Sequence, residues 1–186
     1  MPAMDDGGRG AQAAEGVEPR PHVVVLCTGN AARSVMAGAM LEAAGVDVDV
    51  TTAGTHVVER QPMSVRTRAA LAAVGLDAAG HRSRQLRDGD IEAADLVIAM
   101  AAEHVHFVRR RHPAGAGRTA TIAWLARHLP ADGAALASRI SSMGLAAVDP
   151  EAQGDVADPA GGTEDDYVRC ALELRQLVAE VAGRLG

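Results

Sequence analysis

Apolar and polar positions along the chain change their spacing several times, and each change marks an element. His22 to Cys27 is a nearly unbroken apolar run, the pattern of a strand covered on both faces. From Arg33 the spacing lengthens. Val35, Met36, Ala39, Met40 and Ala43 fall on one side of a helix that runs to Ala44 and stops at Gly45. Val46 to Thr52 reads as a second strand, and Pro62 opens a helix that ends near Gly75. Asp95 to Met100 reads as a third strand leading into a helix through Arg111. Arg118 to Thr121 reads as a short fourth strand feeding a helix around Trp124. The last helix is the clearest. Thr163 and Asp166 form a capping-box start, with an acid in place of the usual Glu or Gln. Tyr167, Cys170, Ala171, Leu174, Leu177, Val178 and Val181 then follow at helical spacing, which puts Cys170 on the buried face.

Strands alternating with helices predict an α/β fold: a three-layer sandwich around a central four-stranded parallel sheet, with ligands at the carboxyl ends of the strands. Residues 1–20 are rich in Gly, Ala and acid and poor in large apolar side chains, so a disordered N-terminal tail is expected ahead of one domain over 21–186. A net charge of −6 argues against general nucleic-acid binding. No apolar run is long enough for a transmembrane helix and no signal peptide is visible, so no membrane partner is expected. All 18 basic residues are arginine, which changes nothing about function. Two cysteines suit a reducing cytoplasm better than a disulfide framework, and a cytoplasmic monomer is the expectation.

Candidate chemistry lies where the first strand ends. Cys27-Thr28-Gly29-Asn30-Ala31-Ala32-Arg33-Ser34 delivers one cysteine into a small polar turn at the start of a helix. The amides of residues 28 to 33 can point inward as a nest for an oxyanion, and the helix adds its positive dipole end. A thiol in such a field is favoured as thiolate. Gly29 and Asn30 suit unusual backbone angles, and Arg33 offers a planar fork to two phosphate oxygens. This is a phosphate-binding loop with a nucleophile at its base, and such a site needs neither metal nor cofactor. An acid must protonate the leaving oxygen, and Asp149, Asp155 and Asp158 all compete for that role. His104, His106 and His112 do not read as a metal cluster, because helical spacing points 104 and 106 in different directions. Arg109-Arg110-Arg111 reads as a solvated helix end.

Beyond the loop, the chain resembles the low-molecular-weight protein tyrosine phosphatase family. Thr52-Ala53-Gly54-Thr55 is similar to that family's segment after the second strand, Gly80-His81-Arg82-Ser83-Arg84 to its Gly-His-x-Ser-Arg segment, and Ala94 to Met100 to its third strand. Asp158-Pro159-Ala160-Gly161-Gly162 is similar to the Asp-Pro loop carrying its general acid, although Asp149 also precedes a proline. The resemblance implies a phosphatase working through phosphocysteine on phosphotyrosine proteins or small phosphomonoesters. Cys27, Arg33 and Asp158 are then catalytic. Thr28, Gly29, Asn30, Ala31, Ala32 and Ser34 hold the phosphate, and Asn30, Ser34, Thr52 and His81 form a supporting network.

Departures from the family bear on the substrate. Ala32 stands where the family usually has a second cysteine. Ala31 stands where tyrosine phosphatases usually have isoleucine and the related protein arginine phosphatases threonine. Ala160 replaces a tyrosine after the Asp-Pro pair, and the loop after Gly54 lacks an aromatic, so an aromatic-poor rim is expected. Alternatives are a protein arginine phosphatase, an arsenate reductase or arsenate–thiol transferase of the same fold, and an inactive phosphate-binding module. A thioredoxin-coupled arsenate reductase needs more cysteines than Cys170 supplies.

Overall fold

The computed structural model describes residues 19–186, so the expectation for the tail falls almost wholly outside the described residues. Four parallel strands form one sheet in the order β2-β1-β3-β4: β1 His22–Cys27, β2 Asp49–Gly54, β3 Leu96–Ala99 and β4 Thr119–Thr121. The helices are α1 Arg33–Ala43, α2 Val65–Ala73, α3 Asp88–Ala93, α4 Ala102–Arg111, α5 Ile122–His128, α6 Leu136–Ser142 and α7 Glu164–Leu185. No helix among the described residues is long and apolar enough to cross a membrane.

Side chains alternate along β1, and the alternation divides the core. Val23, Val25 and Cys27 face the larger cluster, with Met36 and Leu41 of α1, Leu71 of α2, Leu125 of α5 and Leu174 and Val178 of α7. Val24 and Leu26 face a smaller one, with Ile91 of α3 and Val108 of α4. A strand buried on both faces carries no polar position, which is why residues 23 to 27 form an unbroken apolar run. The same alternation turns the thiol of Cys27 towards α1 and α7.

Four elements differ from the sequence expectation. The second strand begins at Asp49 rather than Val46. Asp49 donates its amide to Pro21 O and pairs with His22, so the β1 partner sets the register and the Val46–Val48 stretch becomes a turn. Pro62 does not open α2. Ser64 caps it instead, its side chain accepting from Thr67 N at 3.1 Å. The short helices α3 and α6 carry too few turns to leave a periodic signal.

Candidate active site

The chain leaves β1 towards β2 on one side and returns to β3 on the other, so the loop after β1 sits at the switch point of the sheet. Cys27 Sγ lies 3.0 Å from Ser34 Oγ. Ser34 Oγ accepts from Asn30 Nδ2 at 3.0 Å, which leaves its own proton for the sulfur. Asn30 is fully buried with φ 50°, and its side-chain amide and its carbonyl are both engaged. Nδ2 also donates to Thr52 Oγ1 (3.0 Å), Oδ1 accepts from Arg84 N (3.0 Å), and the carbonyl accepts from His81 Nε2 (2.8 Å). Burial lowers the pKa of His81 against the opposing effect of its bond to Asn30, so the ring serves as a neutral Nε2–H donor. Next along the loop, Ala31 O accepts from Thr67 Oγ1 at 2.9 Å. Gly54 closes the back of the loop, where a Cβ would lie 2.5 Å from Thr28 O and 2.9 Å from Asn30 N, so the cradle excludes any side chain there.

Arg33 is the first residue of α1 and only 3% exposed. Its Nη1 donates to Val156 O at 3.2 Å, while Nη2 donates to Asp158 Oδ2 at 2.6 Å and Thr28 Oγ1 at 3.3 Å. Asp158 Oδ1 also accepts from Ala160 N at 3.0 Å. The other two candidate acids are occupied elsewhere: Asp149 caps a short 3₁₀ turn through Glu151 N, and Asp155 accepts from Ala102 N at the start of α4. Of the three carboxylates, Asp158 is the one bonded to Arg33.

The N-terminus of α1 has no side-chain cap and no acid in its first turn, and among the described residues the amides of Gly29, Ala31 and Ala32 have no protein acceptor. Donors without acceptors at a helix start form an anion site. Above them lies a cavity of about 110 Å³ lined by Cys27, Gly29, Arg33, Ser64, Asp158 and Tyr167. It suits a phosphoryl group with the first atoms of its leaving group. Tyr167, read from the sequence as a core residue alone, contributes to both the core and this rim, so the rim keeps one aromatic ring.

Two further side chains were misjudged in the sequence. His104 is 1% exposed, and its Nε2 lies 3.0 Å from Thr28 Oγ1, in contact with the loop from 76 positions away. Burial, with Arg33 and His56 nearby, pushes its pKa down to about 3. Arg109 is not part of a solvated helix end, since its Nη2 donates to Leu145 O and Val148 O, both at 2.7 Å. His106 pairs with Glu151 at the surface, and among the described residues no group of three potential ligands has metal-binding geometry. Cys170 lies on the buried face of α7, its thiol pushed up to about 12 by burial and then by Glu173.

The chain is similar to several known proteins. The protein-arginine-phosphatase of Geobacillus stearothermophilus is 32% identical over 164 residues, covering 88% of this chain and 95% of that one. A Ralstonia solanacearum protein named "Probable low molecular weight protein-tyrosine-phosphatase EpsP" is 33% identical over 51% of this chain and 66% of its own. Among solved structures, the YwlE arginine phosphatase from G. stearothermophilus superimposes with a TM-score of 0.70 at 31% identity, covering 88% of this chain and 91% of that one. The low molecular weight protein tyrosine phosphatase from T. tengcongensis gives 0.69 at 30% identity, covering 87% and 97%. A sequence model described as "Low molecular weight phosphotyrosine protein phosphatase" matches residues 22–186. The chain therefore belongs to the low molecular weight phosphotyrosine protein phosphatase family.

Proposed function

We propose that the protein is a metal-independent phosphatase that hydrolyses phosphotyrosine in proteins, or small phosphomonoesters, through a phosphocysteine at Cys27. It acts as a cytoplasmic monomer. The observation that carries this reading is the 2.6 Å contact between Arg33 and Asp158 at the mouth of the Cys27 loop. A phosphate-binding group and a proton carrier meet there over one nucleophile.

The resting carboxylate of Asp158 occupies the edge of the guanidinium that a substrate needs. An arriving phosphoryl group takes that edge with two oxygens and the loop amides with its others, releasing Asp158 towards the leaving oxygen. In the first step Cys27 Sγ forms a bond to phosphorus as the bond to the leaving oxygen breaks, and Asp158, which takes a proton from solvent once it has left Arg33, gives that proton to the leaving oxygen. In the second step the Asp158 carboxylate takes a proton from water. The water oxygen bonds to phosphorus, and the S–P bond breaks with its electron pair on sulfur. Ser34 Oγ, 3.0 Å from the sulfur, donates to the thiolate and makes it a better leaving group. Transfer to the loop nucleophile has a parallel in a solved YwlE arginine phosphatase, 25% identical with a TM-score of 0.70. There a cysteine-to-serine mutant carries a phosphorylated active site serine.

A second reading, phosphoarginine as substrate, is favoured by one finding: the two curated relatives aligned over 88% of this chain, from G. stearothermophilus and Bacillus subtilis, are both protein-arginine-phosphatases. The disulfide-relay form of the arsenate alternative has less support, because it needs an accessible second thiol and Cys170 is buried, whereas transfer to a small thiol needs Cys27 alone. Initial rates on phosphotyrosine peptide, phosphoarginine peptide and arsenate with a small thiol separate the three. The largest kcat/KM is expected on phosphotyrosine. A larger value on phosphoarginine transfers the proposal to that substrate, and arsenite production without phosphate release overturns it.

A further inference from the structure

We infer that His104 is a positioning residue for phosphate binding: as a neutral Nε2–H donor it fixes the hydroxyl of Thr28, which in turn holds Arg33. The inference rests on Arg33 binding the phosphoryl group as proposed above.

Counting protons determines the arrangement. Three groups reach Thr28 Oγ1: Arg33 Nη2 at 3.3 Å, His104 Nε2 at 3.0 Å and Glu103 Oε1 at 3.2 Å. A guanidinium only donates and an ionised carboxylate only accepts, while a hydroxyl has one proton to give. Thr28 therefore gives that proton to Glu103 and accepts from both Arg33 and His104. The alternative sends the Thr28 proton to His104 Nε2, takes it from Glu103, and buries an Nδ1–H that no acceptor meets. His104 Nδ1 is buried without a partner, and His104 Nε2 also lies 3.3 Å from Glu103 Oε1, which favours hydrogen on Nε2. Burial and the neighbouring Arg33 keep the ring uncharged, so it donates one hydrogen bond and adds no second positive charge beside the guanidinium.

Thr28 matters because Arg33 loses a partner during turnover. Its three acceptors are Asp158, Val156 O and Thr28 Oγ1. The first departs when substrate arrives. The other two remain, and of these Thr28 is the side chain whose direction can be lost: a free hydroxyl rotates, and only Glu103 and His104 together leave its lone pairs facing Arg33. Glu103 is exposed, whereas His104 is fixed in the core of the α4 N-terminal turn, so His104 provides the stable half of that pair.

The test measures inhibition by inorganic phosphate together with kcat and KM on a small aryl phosphate. His104→Leu keeps a buried apolar body and removes the donor. Thr28→Val removes the hydroxyl and keeps the loop amide. Each is expected to weaken phosphate inhibition and raise KM about tenfold, and the double variant to be no worse than either single one. His104→Gln, which can present a donor at the same reach, is expected to recover most of the loss, as a merely space-filling role would not. Wild-type phosphate inhibition in a folded His104→Leu protein, or additive losses in the double variant, would overturn the inference. Should His104→Leu fail to fold, Thr28→Val and His104→Gln decide: an unaffected Thr28→Val, or a Gln variant as impaired in phosphate inhibition as Thr28→Val, overturns it equally. Arg33→Ala serves as the control. If it leaves phosphate inhibition intact, the proposed function itself fails. If it abolishes inhibition while Thr28→Val is silent, only the role of Thr28 and His104 fails.

Discussion

The N-termini of α1 and α7 present the same backbone donors and treat them in opposite ways. At α7, Thr163 accepts from Asp166 N, Asp166 accepts from Thr163 N at 2.7 Å, and Glu164, Asp165 and Asp166 put three acids in the first turn. Hydrogen bonds from Thr163 hold the Asp166 carboxyl below its usual range. This terminus is satisfied from within. At α1 the cap position is Ala32, with no side-chain bond and no acid in the turn, and the adjacent side chain is a buried arginine. A helix start that the protein leaves unsatisfied beside a buried cation is built for an anion from outside. The contrast teaches that stability and function are allotted to different helix ends, about 130 residues apart in the chain.

The most severe way to break the contrast is to give α1 what α7 has. Ala32→Asp puts a carboxylate among the loop amides, where it repels phosphate. The loss in kcat/KM is expected to reach roughly 10² to 10³ with the fold intact, as read from rates and circular dichroism. Next comes the acid. Asp158→Asn should slow turnover of an ordinary aryl phosphate by roughly 10², and less for a very good leaving group. It should leave phosphate inhibition as strong or stronger, because the internal competitor for Arg33 has lost its charge. Asp149→Asn and Asp155→Asn should retain near wild-type rates on the same substrates. A large effect at Asp149 would move the acid to the wrong loop.

Acid stability sharpens the comparison on the α1 side. His104 is neutral in the fold down to about pH 3 but takes a proton near 6.5 when unfolded. Its contribution is therefore fully present above pH 6.5 and falls as pH drops towards 3, by up to about 1.4 kcal/mol per pH unit. His81, also lowered, acts in the same direction. Asp166 adds a loss only below its ordinary 3.8. Urea midpoints should hold between pH 7.5 and about 6.5 and then fall steadily to pH 4.5, and His104→Gln should flatten that fall. The smallest effect belongs to α7: Thr163→Ala should cost about 1 kcal/mol in urea unfolding and leave kcat/KM within twofold of wild type.

What the sequence revealed follows the same division. β1 was legible because a strand buried on both faces must be apolar throughout, and α7 because its cap and its apolar stripe are local patterns. Cys27, Arg33 and Ser34 were legible because one tight turn holds them all. The β2 register was not, since it depends on Asp49 meeting Pro21 and on Gly54 fitting under Thr28 O, neither of which is a local pattern. His104 was weighed only as a metal ligand. Its partner lies 76 residues away, and a lone histidine on an amphipathic helix carries no sign of such a contact. The positions of Thr52 and His81 in the network came from family resemblance, since nothing in Thr51-Thr52 tells which hydroxyl faces Asn30.

The central claim is that phosphate passes through the sulfur of Cys27. Rapid acid quench of Asp158→Asn during turnover of an aryl phosphate, followed by peptide mass spectrometry, tests it most directly, with Cys27→Ser in parallel. The account predicts one phosphoryl group on the Cys27 peptide, a burst of the released phenol no larger than one per enzyme, and loss of turnover in Cys27→Ser by roughly 10⁴ or more. Sustained turnover by Cys27→Ser, with no phosphoryl group on the Cys27 peptide of the quenched enzyme, would contradict it.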